Sequence, residues 1–169
     1  MKFTSPSDGR YELQFDDREY DALMAVVGLR VHLSRSSRSL TTDTAVDPRL
    51  RAAQDDFDLA LVDHRQELSR SLEALLKNPE KSLVPSEGVR VLTLSSGEMT
   101  LLLQGLNEVR VAAWEHLGSP DFDIESRPEV NDDNFLFLWA IQATDLFQSF
   151  LLSALEGETE NPGDATSEE

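Results

Sequence analysis

The sequence predicts a mainly α fold: a helical bundle of about four long helices with a small two-stranded β-ribbon. Four long segments place apolar residues at the spacing of an amphipathic helix. Two short segments alternate apolar and polar residues, as a half-buried strand does. Each of these two segments runs directly into a helix-capping sequence. We expect a single helical domain over residues 1–155.

The first predicted strand covers residues 10–15, where three apolar side chains fall on one face. They are Tyr11, Leu13 and Phe15. Asp16 follows the strand, and Glu19 comes three residues later, which is the spacing of a capping box. The apolar positions after Glu19 keep helical spacing and fade near Arg35. The pattern therefore predicts a helix that begins directly after Asp16.

The second helix is predicted after a Ser- and Thr-rich loop over residues 34–47. Asp47 and Pro48 resemble an N-cap followed by a proline at the first helical position. The apolar positions then keep helical spacing for about seven turns. They are Ala53, Phe57, Leu61, His64, Leu68, Leu72 and Leu75. The helix is expected to end before Asn78, because the residue that precedes a proline avoids helical geometry.

The second strand and the last two helices complete the bundle. Residues 89–94 alternate, and Ser95 with Glu98 forms a second capping box before a helix that should end near Leu117. The last helix is expected over residues 132–155. It is apolar almost all the way round, so we expect it at the centre of the bundle or at a subunit interface.

The two strand–cap–helix units repeat at an offset of 79 residues. Leu13 in the first unit matches Leu92 in the second, and Glu19 matches Glu98. If the repeat is structural, the two strands pair with each other and need no larger sheet. The other interpretation is coincidence, because capping boxes often follow strands.

Composition excludes several classes of protein. The chain has no cysteine, which excludes disulfides, Cys-ligated zinc and iron–sulfur clusters. It has 15 Lys and Arg residues against 32 Asp and Glu residues, so a nucleic-acid partner is not expected. Most of the excess acid falls in a connector over residues 119–134 and in a tail over residues 156–169, which we predict to be disordered.

A cytoplasmic protein with no membrane association is expected from the remaining patterns. The amino-terminal residues lack the apolar run of a signal peptide. The apolar stretch over residues 135–155 is long enough to cross a bilayer, but it contains Asp145, which is costly in lipid. A core helix of a soluble protein is therefore the favoured interpretation.

His64 is the most notable titratable residue, because it lies on the apolar stripe of its helix between Asp63 and Glu67. One interpretation makes it a general base or a metal ligand that is oriented by a carboxylate. The other makes it a core or boundary histidine with one hydrogen-bond partner. No spacing of a zinc or di-iron site is present, so no metal and no cofactor are predicted.

A family resemblance rests on two segments. Residues 103–110, LQGLNEVR, resemble the "leucine, asparagine, acid, any, arginine" core of a bacterial family, domain of unknown function 2017. Residues 147–155 resemble the closing helix of that family. The resemblance implies an α-helical cytosolic protein, and a link to Clp-type proteolysis, because genes of the family often neighbour the Clp adaptor. It also makes Asn107, Glu108 and Arg110 a candidate polar contact, and it carries over no catalytic residue.

The sequence contains no catalytic signature, so the predicted function is that of a non-catalytic protein-interaction or regulatory module. Its partner would be a second copy of the chain, in a homodimer, or another protein. The candidate interface residues lie in the last helix. They are Phe135, Trp139, Phe147 and Phe150. The alternatives are an adaptor or regulator of Clp-type proteolysis and a metal- or acid-base-dependent enzyme centred on His64.

Overall fold

The computed structural model describes residues 1–4, 9–33, 48–120 and 129–156. Within these residues lie four strands and four helices, and the fold is α+β. The strands are β1 (Lys2–Thr4), β2 (Arg10–Asp16), β3 (Ser82–Ser86) and β4 (Val89–Ser95). The helices are α1 (Asp17–His32), α2 (Pro48–Leu76), α3 (Ser96–His116) and α4 (Phe135–Glu156). The predicted loop at 34–47, the middle of the acidic connector and nearly all of the acidic tail lie outside the described residues.

The prediction of a mainly α (all-α) bundle with a two-stranded ribbon is wrong, because the sheet has four strands in the order β1-β2-β4-β3. All neighbouring strands are antiparallel. The two strands that the sequence did not reveal are the outer ones. β1 has only three residues, all exposed, and β3 contains Pro85. A proline is tolerated in an edge strand, where its missing N–H removes no internal hydrogen bond.

The predicted pairing of the two central strands is confirmed, since Leu13 of β2 lies opposite Leu92 of β4. The repeat extends further than the sequence indicated. Phe3 pairs with Leu13 in the first half, and Ser82 pairs with Leu92 in the second, which are equivalent positions at the offset of 79. The four strands are therefore two hairpin-like ββ units related by a local twofold axis that passes between Leu13 and Leu92, and each unit is followed by two helices.

Both predicted capping boxes are present where the central strands end. The Glu19 amide donates to Asp16 Oδ1 at 2.8 Å, and the Asp16 amide donates to Glu19 Oε2 at 2.9 Å. In the second half, the Ser95 amide donates to Glu98 Oε2 at 2.8 Å, and Lys81 Nζ lies 2.9 Å from the same oxygen. These contacts fix the point at which each strand becomes a helix.

The Glu98 carboxylate is expected to make a pH-dependent contribution to stability. Partial burial raises the pKa of Glu98, but hydrogen bonds from Ser95 and Lys81 outweigh that effect and hold the pKa below its ordinary value of 4.5. A carboxyl group with a lowered pKa in the fold stabilises it above its unfolded-state pKa, and this contribution is lost as the pH falls through the folded-state pKa. We therefore expect Glu98→Gln to cost about 1 kcal/mol at neutral pH.

The measurement is urea unfolding of wild type and Glu98→Gln at neutral pH and at about pH 3. The difference in the free energy of unfolding should shrink at the acidic pH, because protonation of Glu98 removes the charge that distinguishes the two proteins. A difference that is the same at both pH values would contradict the expected role of the carboxylate.

The core lies between one face of the sheet and the helices. The central strands contribute five side chains to this core, which are Tyr11, Leu13, Phe15, Leu92 and Leu94. α3 contacts each of the other helices, and its contact with α4 is the most extensive, whereas α1 and α2 hardly touch. Gly105 of α3 has a packing role, because a Cβ at that position would collide with the side chain of Leu72 in α2.

Candidate functional site

His64 lies near the middle of α2, where its side chain is exposed. Among the described residues, no group of three or more His, Asp or Glu side chains is arranged to hold a metal ion. Within the described part of the chain, His64 is therefore not one of a group of side chains that could hold a metal ion.

Glu108 forms a polar bridge between three helices. Arg30 of α1 donates from Nε to Glu108 Oε2 of α3 at 2.7 Å. The same guanidinium also donates to the main-chain oxygen of Arg65 in α2. The side chains of Arg30 and Glu108 are only 9% and 16% exposed. The bridge therefore ties α1, α2 and α3 together in a place where water screens the charges weakly.

The other two residues of the candidate polar contact lie in different surroundings. Asn107 is exposed. Arg110 lies with its Nη2 3.3 Å from Asp145 Oδ1 of α4, and both side chains are largely exposed. Positions two apart on a helix point about 200° apart, so Glu108 and Arg110 face different neighbouring helices. These two residues make two separate helix–helix contacts, of which only that of Glu108 is mostly buried.

Two of the four candidate interface aromatics pack inside the chain. Phe147 is 3% exposed, and its ring centroid lies 6.4 Å from that of Phe15. Phe150 is half-buried, with its ring centroid 5.8 Å from Phe15 and 6.0 Å from Phe3. These edge-on contacts hold α4 against the sheet. Trp139 is half-buried as well, and Phe135 is 58% exposed.

The exposed side of α4 carries four large apolar side chains, with the polar residues Gln142, Asp145 and Ser149 among them. The four apolar side chains are Phe135, Leu136, Leu146 and Leu152, which we call the α4 face. Asp145, paired with Arg110, is the sole ionisable residue between Phe135 and Leu155. Within the described part of the chain, α4 is also the one helix that is long and apolar enough to cross a membrane. Of its most apolar 18-residue segment, 22% is buried. The α4 face is thus nearly free of charge on a strongly acidic chain.

A second exposed apolar surface lies on α2. The carboxy-terminal half of α2 packs into the core through four buried leucines, which are Leu68, Leu72, Leu75 and Leu76. The preceding part, residues 49–64, is mostly exposed, and we call it the distal half of α2. It carries four exposed large apolar side chains, which are Leu50, Phe57, Leu59 and Val62. Helical periodicity predicted the stripe but could not show which part of it the chain itself covers.

The chain was compared with family models, curated proteins and solved structures, and none of them matches. The resemblance of residues 103–110 to the bacterial family of unknown function stays a prediction. The candidate surfaces therefore rest on the contacts, exposure and charge of this chain's own residues.

Proposed function

We propose that this protein is a non-catalytic interaction module whose α4 face binds an amphipathic helix of another protein in the cytoplasm. The observation that carries the proposal is the α4 face itself, an apolar surface exposed on a chain with a formal net charge of −17. Exposed apolar surface of this kind is costly in water and marks interaction sites.

The shape of the face supports a helical partner. The four side chains of the face span about 26 Å of α4, from Phe135 to Leu152, and Gln142, Asp145 and Ser149 are exposed between them. A partner helix with apolar residues at intervals of three and four would cover it, as in other helix-in-groove complexes. Because the face bears almost no charge, the apolar contact would provide most of the affinity, and salt should weaken it little.

The test is photo-crosslinking in the native cell, with a benzoylphenylalanine residue in place of Leu146. We expect a discrete product with one other protein, lost when Leu136→Arg is added and kept when Gln104→Arg is added at an exposed position of α3. The two arginine variants add the same charge to exposed helical positions, on and off the face.

Three outcomes would overturn the proposal. A product of twice the chain's own mass would mean that the face binds a second copy of the chain. Crosslinking to lipid, with flotation of the purified protein on phospholipid vesicles, would mean that α4 binds a membrane. The absence of any product at Leu146 would leave the face without a partner.

A further inference from the structure

α1 and α2 border a cleft, because each of these helices packs on α3 while the two hardly touch each other. The cleft has a volume of about 380 Å³, which is the size of sites that hold small organic ligands. From α1 it is lined by Met24, Val27 and Gly28, which share one face of that helix. From α2 it is lined by Leu72 and Leu76, both of which are buried. The walls of the cleft are therefore mostly apolar.

Gly28 keeps the α1 wall of the cleft open. A Cβ at this position would have no other atom within 4 Å. Glycine is unfavourable inside a helix, and α1 continues to His32, so Gly28 does not serve as a helix cap. A larger residue would favour the helix more, but its side chain would enter the cleft, which Met24 already lines one turn earlier. The glycine thus preserves open space between the two helices.

One end of the cleft is positively charged. Arg30 lines both the cleft and a smaller cavity of about 80 Å³, so the two cavities adjoin at that residue. Arg65 and Glu108 also line the smaller cavity. Two guanidinium groups and one carboxylate leave one unit of positive charge at this end, on a chain whose formal net charge is −17. This end of the cleft would therefore attract an anion.

Arg65 supplies a hydrogen-bond donor at the charged end. Its Nε is buried and has no hydrogen-bond partner among the described residues. Arg30, in contrast, already donates to Glu108 and to the main-chain oxygen of Arg65. A buried donor without an acceptor is costly, and a carboxylate is a strong acceptor for an arginine. Charge and hydrogen bonding thus both favour a ligand carboxylate beside Arg65.

We infer that the cleft between α1 and α2 is a binding site for a small aliphatic carboxylate. The apolar chain of the ligand lies between the two helices, and its carboxylate lies beside Arg30 and Arg65. Apolar walls with a few charged groups that fix the orientation of the ligand are typical of small-molecule sites. None of the lining residues that the structure describes belongs to α4, so the inference does not rest on the function of the α4 face.

The first test is isothermal titration calorimetry of the full chain with octanoate. We expect saturable binding of one octanoate per chain, with a Kd below about 1 mM. Acetate has the carboxylate without the apolar chain, and octan-1-ol has the apolar chain without the charge. Because each of these ligands makes only one of the two contacts, both should bind at least about tenfold more weakly than octanoate.

The second test blocks the cleft and uses a matched pair of glycine variants. Gly28→Leu should abolish octanoate binding, because the leucine side chain would occupy the cleft. Gly97→Leu is the control, since Gly97 is an exposed glycine in the first turn of α3, where a Cβ also has no other atom within 4 Å. This control should bind octanoate as the wild type does. Leucine favours a helix more than glycine does, so circular dichroism should show no loss of helix in either variant.

The third test removes the charged donor. Arg65→Met keeps the apolar part of the side chain and the main-chain oxygen that accepts from Arg30. We expect this variant to raise the Kd for octanoate at least about tenfold and to leave the binding of octan-1-ol unchanged. A variant that had merely lost structure would bind both ligands more weakly.

The inference is overturned if octanoate shows no saturable binding to the wild type, or if Gly28→Leu binds it as tightly as Gly97→Leu does. It is also overturned if octan-1-ol binds as tightly as octanoate, because the charged end would then hold only water. Leu136→Arg, on the α4 face, should leave octanoate binding unchanged, and a loss of binding in that variant but not in Gly28→Leu would mean that octanoate binds α4 instead. A missing crosslink at Leu146 leaves the cleft standing, so the two proposals fail separately.

Discussion

Truncating Phe147 to alanine is expected to lower the free energy of unfolding by about 3–5 kcal/mol. Phe147 is 3% exposed and packs edge-on against Phe15 of the central strand β2. Its removal would leave a cavity between α4 and the sheet, and the surrounding side chains could close it only in part. A loss of this size is a large fraction of the stability of a typical domain.

Phe135→Ala is the matched control, because it makes the same chemical change on the same helix. Phe135 is 58% exposed, so its truncation should change the free energy of unfolding by less than about 1 kcal/mol. Urea unfolding followed by circular dichroism measures both variants. Equal losses for the two variants would mean that α4 is not packed on the sheet through Phe147.

Replacing Glu108 with glutamine is expected to lower the free energy of unfolding by about 2–3 kcal/mol. The variant removes the charge opposite Arg30 but keeps the shape of the side chain. The Arg30 guanidinium would remain mostly buried without its carboxylate, and an unpaired buried charge is costly. We place the loss below that of a fully buried pair, because both side chains keep some contact with water.

Asp145→Asn is the control for this second prediction. Asp145 also joins α3 to another helix through an arginine, Arg110, but at 3.3 Å and with both side chains largely exposed. Such surface pairs contribute less than about 1 kcal/mol, so the variant should unfold almost as the wild type does. If the free energies of unfolding of Glu108→Gln and Asp145→Asn were the same, the buried bridge would not be a major contact.

The parts of the fold that the sequence predicted are those set by neighbouring residues. Asp16 with Glu19, and Ser95 with Glu98, marked the starts of two helices because capping depends on residues three positions apart. The outer strands escaped prediction for the opposite reason. Neither shows an apolar alternation, and β3 is held in the sheet only because β4, which runs back beside it, supplies the hydrogen bonds.

For the candidate sites too, the sequence predicted what neighbouring residues determine and missed what distant residues determine. The motif at Asn107, Glu108 and Arg110 suggested a polar contact, but the partner Arg30 is 78 residues away from Glu108, and no local pattern joins them. The sequence could not distinguish core from surface positions among the aromatic residues of α4, because the helix is apolar almost all the way round. Only the placement of the sheet separates Phe147, which is in the core, from Phe135, which is on the surface.

The pairing of β2 with β4 also governs how the chain reaches its folded state. The paired residues are separated by 73 positions at Asp16 and Val89 and by 85 positions at Arg10 and Ser95. The middle of the sheet can therefore form only after a long loop has closed, and that search is slow. Until it closes, the inner edge of each central strand stays open to pairing with another molecule. As the protein concentration is raised, we therefore expect aggregation to lower the yield of refolded protein before the refolding rate falls.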